Sequence, residues 1–208
     1  DDRDAHDRFL GIMQEQASRM SRLVNDLLSL SRIELNEHTQ PSERVDLARL
    51  LRQVCDGLEL QAESRGMSLT ISLPDNLPEV FGHPDELAQV FQNLIDNALK
   101  YGRPDTAVEI LVSPLDRIPT ALGRRLSRGA VRVTVRDHGE GIAKEHLPRL
   151  TERFYRVDTA RSRKMVGTGL GLAIAKHIIN RHRGALTIDS TIGQGSSFTV
   201  DLPAAEGE

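Results

Sequence analysis

The sequence predicts an α+β fold in which a mixed sheet is covered by helices on one face, with one long helix standing before it. Three observations lead there. Apolar residues recur every three or four positions in several separate stretches, the signature of helices that bury one face. Shorter stretches alternate apolar and polar residues, as half-buried strands do. The strands are also joined largely by hairpin-like returns, so a purely parallel sheet is not expected.

The elements follow in chain order. Phe9, Met13, Met20, Leu23, Leu27 and Leu30 step along the first helix, interrupted only by Gln16 and widened by Ile12, Ala17, Val24 and Leu28. Such a stripe suits one helix of a four-helix bundle, and it calls for a partner from another chain, a missing segment, or both. The polar run at 36–42, with Pro41, reads as a linker. Leu47, Leu50, Leu51, Val54, Leu58 and Leu60 predict a helix over 47–64, stopped near Gly66. Strands are expected at 67–73 and 79–81, then a helix opened by Pro84 with Asp85 and Glu86 in its first turn, where the helix dipole favours acids. Further strands fall at 106–112 and 130–136, separated by a loop over 114–129. A short polar helix near 144–150 is followed by the aperiodic charged stretch 161–166. Ile174, Ile178 and Ile179 mark a last helix ending near Gly184, and strands at 185–189 and 197–202 flank Gly193-Gln194-Gly195.

Composition narrows the functional classes. At 208 residues, 38% hydrophobic and 27% charged, the chain has room for one sizeable domain and an accessory element. A net charge of -3 gives no overall basic field, and Arg124, Arg125 and Arg128 share one loop without aromatics, so nucleic acid is not an expected partner. Cys55 is the single cysteine; it excludes an internal disulfide and a thiolate zinc cluster, and core packing is its expected role. No apolar run is long enough for a membrane span, so no membrane contact is expected of this segment.

The helix opened by Pro84 carries two patterns. Leu87, Val90, Phe91, Leu94, Ala98 and Tyr101 form an apolar stripe, while Gln89, Asn93, Asn97 and Lys100 occupy another face. Asparagine is a poor helix former, so two of them one turn apart need a reason. One is a cap or internal hydrogen bond, which the stretch by itself favours. The other is a pair of neutral oxygens aimed at a hard cation or polar ligand, with Lys100 as a phosphate partner. Gly167-Thr168-Gly169-Leu170-Gly171-Leu172 runs into a helix, and backbone N–H groups there suit an anion. Its spacing is not that of a dinucleotide or P-loop motif.

Taken in order, Asn93-Leu94-Ile95-Asp96-Asn97-Ala98-Leu99-Lys100-Tyr101, Asp137-His138-Gly139-Glu140-Gly141-Ile142, Arg153-Phe154-Tyr155-Arg156 and Gly167-Thr168-Gly169-Leu170-Gly171-Leu172 resemble the ATP-binding domain of sensor histidine kinases, of the phosphate-regulation-sensor type. That family lies within the GHKL ATPase superfamily and has the Bergerat fold, a two-layer α/β sandwich. The resemblance covers 43–203, and residues 20–34 look like the second helix of the family's dimerisation and histidine-phosphotransfer domain. It implies a helix of a dimeric four-helix bundle at 1–35, a linker at 36–44 and an ATP-binding domain at 45–208.

The resemblance further implies roles for single residues. Asn97 would ligate Mg²⁺ bridging the ATP phosphates, with Asn93 beside it, Lys100 on phosphate and Tyr101 lining the pocket. Asp137 would accept from the adenine amine, with Gly139, Gly141 and Ile142 in the turn against the base. Gly167, Thr168, Gly169, Leu170, Gly171 and Leu172 would form the phosphate loop. Residues 154–166 would be the lid, with Phe154, Arg153 and Arg156 as candidate contacts. Gyrase-, chaperone- and mismatch-repair-type relatives have Glu where Asn93 stands, and an amide cannot activate water as that Glu does. Transfer to a histidine is therefore expected over hydrolysis.

The family's His-Glu/Asp-x-x-Thr/Asn-Pro acceptor motif is not met at His6, His38, His83, His138, His146, His177 or His182. The acceptor is accordingly expected on a preceding helix, and this chain is not expected to autophosphorylate alone. Homodimerisation through the first helix, a response-regulator receiver as partner, and a cytoplasmic location within an inner-membrane-anchored parent are implied likewise. A nucleotide-responsive dimerisation module without phosphotransfer is the alternative, and a serine-directed anti-sigma kinase a third reading disfavoured by the long apolar helix.

Overall fold

The computed structural model describes residues 2–35, 39–115, 129–157 and 167–205. Most of the 114–129 loop, the lid beyond Val157 and His38 lie outside them. The elements run α1 (Asp2–Leu35), β1 (Glu43–Val45), α2 (Leu47–Glu63), β2 (Ser68–Ser72), β3 (Val80–Gly82), α3 (Pro84–Tyr101), β4 (Ala107–Leu115), β5 (Ala130–Asp137), a single 3-10 turn (Leu147–Arg149), α4 (Gly171–Arg181), β6 (Ala185–Thr191) and β7 (Gly195–Pro203).

The main sheet has five strands in the order β2-β4-β5-β7-β6. Only β2 and β4 are parallel; the other neighbours are antiparallel, so the mixed sheet is as expected. β1 and β3 form a separate two-stranded antiparallel sheet, joined to the end of β7 by a bridge from Val80 to Ala204. β1 falls at the end of the stretch read as a linker. Three residues are too few to show alternation, and this strand exists because β3 offers an edge.

The core lies between the sheet and α2, α3 and α4. Val108, Ile110, Val131, Val133, Val135, Val200 and Leu202 on the strands meet Leu51, Phe91, Leu94, Ile174 and Ile178 from the helices, all buried. Across the sheet from these, Arg132 donates two hydrogen bonds to Asp201 at 2.7 and 2.9 Å, which pins the register of β5 on β7. β4 runs on through Pro114 although β2 ends opposite Leu111. Beyond that point β4 is an edge, where a residue without an N–H is tolerated.

Some local expectations need correction. Leu60 is exposed, because it falls about 200° from Leu58 on the helix. Tyr101, placed in the apolar stripe of α3, is 38% exposed. The polar helix expected at 144–150 is only the 3-10 turn, since Pro148 removes a donor from a segment already too short to propagate an α-helix. Cys55 is in the core as expected, and burial with Asp56 and Glu59 nearby pushes its thiol up to about 11, leaving it unreactive.

The C-terminal part of α1 finds a partner within the chain: Leu30 and Ile33 are buried in the same core cluster as α4, and Leu23 packs on it. Sequence separation hid this, since α4 lies far along the chain. Phe9, Ile12, Met13, Met20, Val24 and Leu27 remain exposed. Among the described residues no helix is long and apolar enough to cross a membrane.

His182, at the end of α4, is buried. Its Nδ1 donates to the Ile178 carbonyl at 2.8 Å, and its Nε2 accepts from the His83 N–H at 3.0 Å. Desolvation lowers its pKa in the folded state, so below the ordinary value of about 6.5 the unfolded chain takes up a proton that the folded one refuses. Stability should therefore decline as pH falls from 7.5 to 5.5 in urea titrations, and His182→Asn should flatten that slope. An identical slope in the variant would refute the assignment.

Candidate functional site

The four motif stretches meet above the C-terminal half of α3. Burial of Leu87, Val90, Phe91, Leu94, Ile95, Ala98 and Leu99 fixes the rotation of α3 and leaves Gln89, Asn93 and Asn97 along its polar row. Two of these amides are spent on neighbouring helices. Gln89 accepts from the Ser29 hydroxyl of α1 at 3.0 Å, and Asn93 donates to the Gly171 carbonyl at the start of α4 at 3.2 Å. Asn97 is half-buried, and its side-chain amide makes no hydrogen bond among the described residues. The hydrogen-bond reading of the amide face thus holds at Gln89 and Asn93.

Lys100 does not continue the row. Its ammonium pairs with Asp96 one turn back, and Asp96 also accepts from Gln61 of α2 at 2.7 Å.

The next stretch sits at the end of β5. Asp137 is 3% exposed, with Oδ1 accepting from the Gly139 N–H at 2.8 Å. Burial raises its pKa, opposed by hydrogen bonds from Gly139 and from the backbone and hydroxyl of Ser196, and by His138. A side chain on Gly139 would strike the Tyr101 carbonyl, so only glycine lets this turn lie against the end of α3. Gly141 backs onto the Thr191 carbonyl, and Ile142 donates its N–H to the Ser190 hydroxyl at 2.8 Å while packing on the core. Ser190 and Ser196 brace this turn from β6 and β7. Nothing in their local sequence singles them out; strand register brings Ser196 opposite Asp137.

The glycine loop closes the site from the other side. Gly169 has φ of +73, and a Cβ there would lie 2.9 Å from the Phe154 backbone. The Gly169 carbonyl accepts from the Phe154 N–H at 2.9 Å, and the Gly167 carbonyl from Arg156 at 3.0 Å. Arg156 is therefore the arginine turned toward the loop, whereas Arg153 is exposed. Phe154 itself is 58% exposed and has φ of 63, a left-handed conformation that costs a non-glycine residue energy. Tyr155, next to it, is held by a 2.7 Å hydrogen bond to His146 and by Arg149 stacked 4.2 Å from its ring centre. Leu170 is buried and Leu172 packs on the core, so these two anchor the loop rather than line it. Thr168 donates to Asp26 of α1 at 2.8 Å and accepts from the Leu170 N–H at 3.3 Å. Asp26 was not foreseen as part of the site.

Of the expected residues, Asn93, Asn97, Tyr101, Asp137, Gly139, Phe154, Arg156, Gly167, Gly169 and Gly171 are thus drawn into one interlocked region, and Lys100 points to its flank. Such an assembly of oriented amides, a helix N-terminus and one buried carboxylate has the makings of a nucleotide site.

Comparison with known proteins agrees. Residues 82–206 match the family of histidine kinase-, DNA gyrase B- and HSP90-like ATPases, and this chain belongs to it. Among curated proteins, the sensor protein kinase WalK of Staphylococcus saprophyticus is 38% identical over 94% of this chain, and a WalK of Staphylococcus aureus is 37% identical over 94%. The chain spans only 30% and 44% of their respective lengths. Among solved structures, full-length ShkA in complex with AMPPNP superposes with a TM-score of 0.75 at 27% identity, over 93% of this chain and 37% of that one. The mycobacterial sensor histidine kinase MprB shares the fold, with a TM-score of 0.61 at 24% identity over 78% of this chain and 97% of its own.

Gly169→Ala combines a strained φ with a clash against the Phe154 backbone. It should lower unfolding stability by about 1–3 kcal/mol and speed amide exchange in 167–171. Wild-type exchange there would show that the loop does not depend on this contact.

Proposed function

We propose that this chain binds Mg-ATP and transfers the γ-phosphoryl group to a histidine outside the segment described, for relay to a response-regulator aspartate. The observation that carries this reading is the locking together of four separate motif stretches beside one half-buried amide, Asn97, whose side chain has no hydrogen-bond partner among the described residues. An amide oxygen of this kind suits a hard cation that takes one protein ligand and fills its other positions with phosphate and water. Mg²⁺, when bound, would neutralise phosphate charge and hold the reacting oxygens. The buried carboxylate of Asp137, oriented by Gly139 and Ser196, suits an amine donor such as that of adenine. The N-terminus of α4 and the loop before it suit phosphate, with Lys100 as their cation, Phe154 and Arg156 bounding the loop and Tyr101 beside the turn. The similarity to a kinase solved with AMPPNP supports the same ligand class.

Transfer over hydrolysis rests on Asn93. Its amide, already donating to Gly171, offers no base to activate water, whereas an imidazole nucleophile needs little help. None of the seven histidines has the acceptor motif, so the acceptor is assigned to another segment. In this reading residues 1–35 belong to the dimerisation helices, with the exposed row from Phe9 to Leu27 meeting a second copy, 36–44 are the linker and 45–208 the ATP-binding unit, to which β1 adds its pairing. The unit works in the cytoplasm as part of a membrane-anchored parent.

Calorimetry should show Mg-ATP binding that Asn97→Ala and Asp137→Asn each weaken by more than about tenfold, with circular dichroism unchanged. Because protonation would turn the Asp137 acceptor into a donor and its pKa is raised, affinity should fall on acidification at a higher pH than for an ordinary carboxylate. Incubated with radiolabelled ATP and the acceptor helix of its own gene, the chain should label that helix. Intact binding without label would favour the nucleotide-responsive module instead.

A further inference from the structure

The flank of the site holds a polar cluster in which Asp96 and Gln61 have no role in the account so far. Lys100 lies in the last turn of α3, between the row of Asn97 and the row of Asp96, which are about 100° apart around the helix. Its long stem can serve either side, and its ammonium takes Asp96. Asp96 is in turn fixed from α2, where Gln61 donates to Oδ1 at 2.7 Å while Lys100 occupies Oδ2. The pair is shielded, with side-chain exposure of 20% for Lys100 and 29% for Asp96, so it is less screened than a surface ion pair. A fixed carboxylate draws the ammonium toward α2, away from the row facing the glycine loop.

We propose that Asp96 is a positioning residue that sets how strongly this chain holds the phosphates of a nucleoside triphosphate, by competing with them for the Lys100 ammonium. The inference rests on the nucleotide site proposed above and adds a determinant of triphosphate affinity outside it. Asp96→Asn suits the test because it is isosteric and keeps an oxygen for Gln61 while removing the acceptor used by Lys100.

Mg-ATP and adenosine are titrated by calorimetry into wild type, Asp96→Asn, Lys100→Met and the double variant, with Asp96→Ser in parallel should the asparagine variant fold poorly. Asp96→Asn should bind Mg-ATP about three- to tenfold more tightly. Adenosine, which offers no phosphate, should bind it as it binds wild type, which also reports an intact site. On the Lys100→Met background the substitution should change nothing. Unchanged or weaker Mg-ATP binding by Asp96→Asn would overturn the proposal while leaving the nucleotide site standing, as would tightening that persists without Lys100. A wild-type chain that binds no Mg-ATP would remove the site and this inference together.

Discussion

The burial of the apolar stripe of α3 is the constraint from which the rest follows. Once Phe91, Leu94 and Ala98 are pressed into the core, the helix cannot rotate, and the amides of Gln89, Asn93 and Asn97 have one direction to face. Each then meets what the fold sets opposite it. Gln89 meets α1, Asn93 meets the first carbonyl of α4, and the Asn97 side chain meets no hydrogen-bond partner among the described residues. The core stripe and the polar row are thus two faces of one packing decision. The same helix supplies the Tyr101 carbonyl against which the Asp137 turn must close, which forbids a side chain at Gly139.

Much of this could be read from the chain because the signals are local. The helical stripe of α3, the alternation in β4 and β5 and the glycines of both turns are properties of a few consecutive residues. Other features depend on partners far away in sequence and leave no trace nearby. Lys100 follows Asp96 at helical spacing, but its fixing from Gln61 comes from 35 residues before Asp96. His182 gains its burial and its tautomer from an N–H 99 residues away, and Ser196 becomes a brace for Asp137 only through strand register. The docking of Leu30 and Ile33 onto the core was hidden for the same reason, and it changes the account of α1 from a wholly unpartnered helix to one seated at its C-terminal end.

The family to which the chain belongs includes members of different chemistry, so membership alone does not choose between transfer and hydrolysis. In the proposed reading the side chains make that choice. An amide at position 93 that already supports the glycine loop combines a structural duty with the absence of a base, and no separate residue has to exclude water activation. Half-burial of Asn97 and full burial of Asp137 place the two groups proposed to face the ligand in different dielectric surroundings. On that proposal, charge at the phosphate end would respond to salt, whereas recognition at Asp137 would be governed by proton and hydrogen-bond geometry.

The Thr168 hydroxyl gives its proton to Asp26 on the long helix and takes one from the Leu170 N–H where α4 begins. A single oxygen is therefore shared between the seat of α1 and the entry of the glycine loop. Shared bonds make the two placements thermodynamically reciprocal: a load that shifts α1 changes the free energy of loop order, and whatever orders the loop returns the same increment to the helix. Along 34 residues, about 50 Å of helix, that exchange would let the far end of α1 register events at a hydroxyl it never touches.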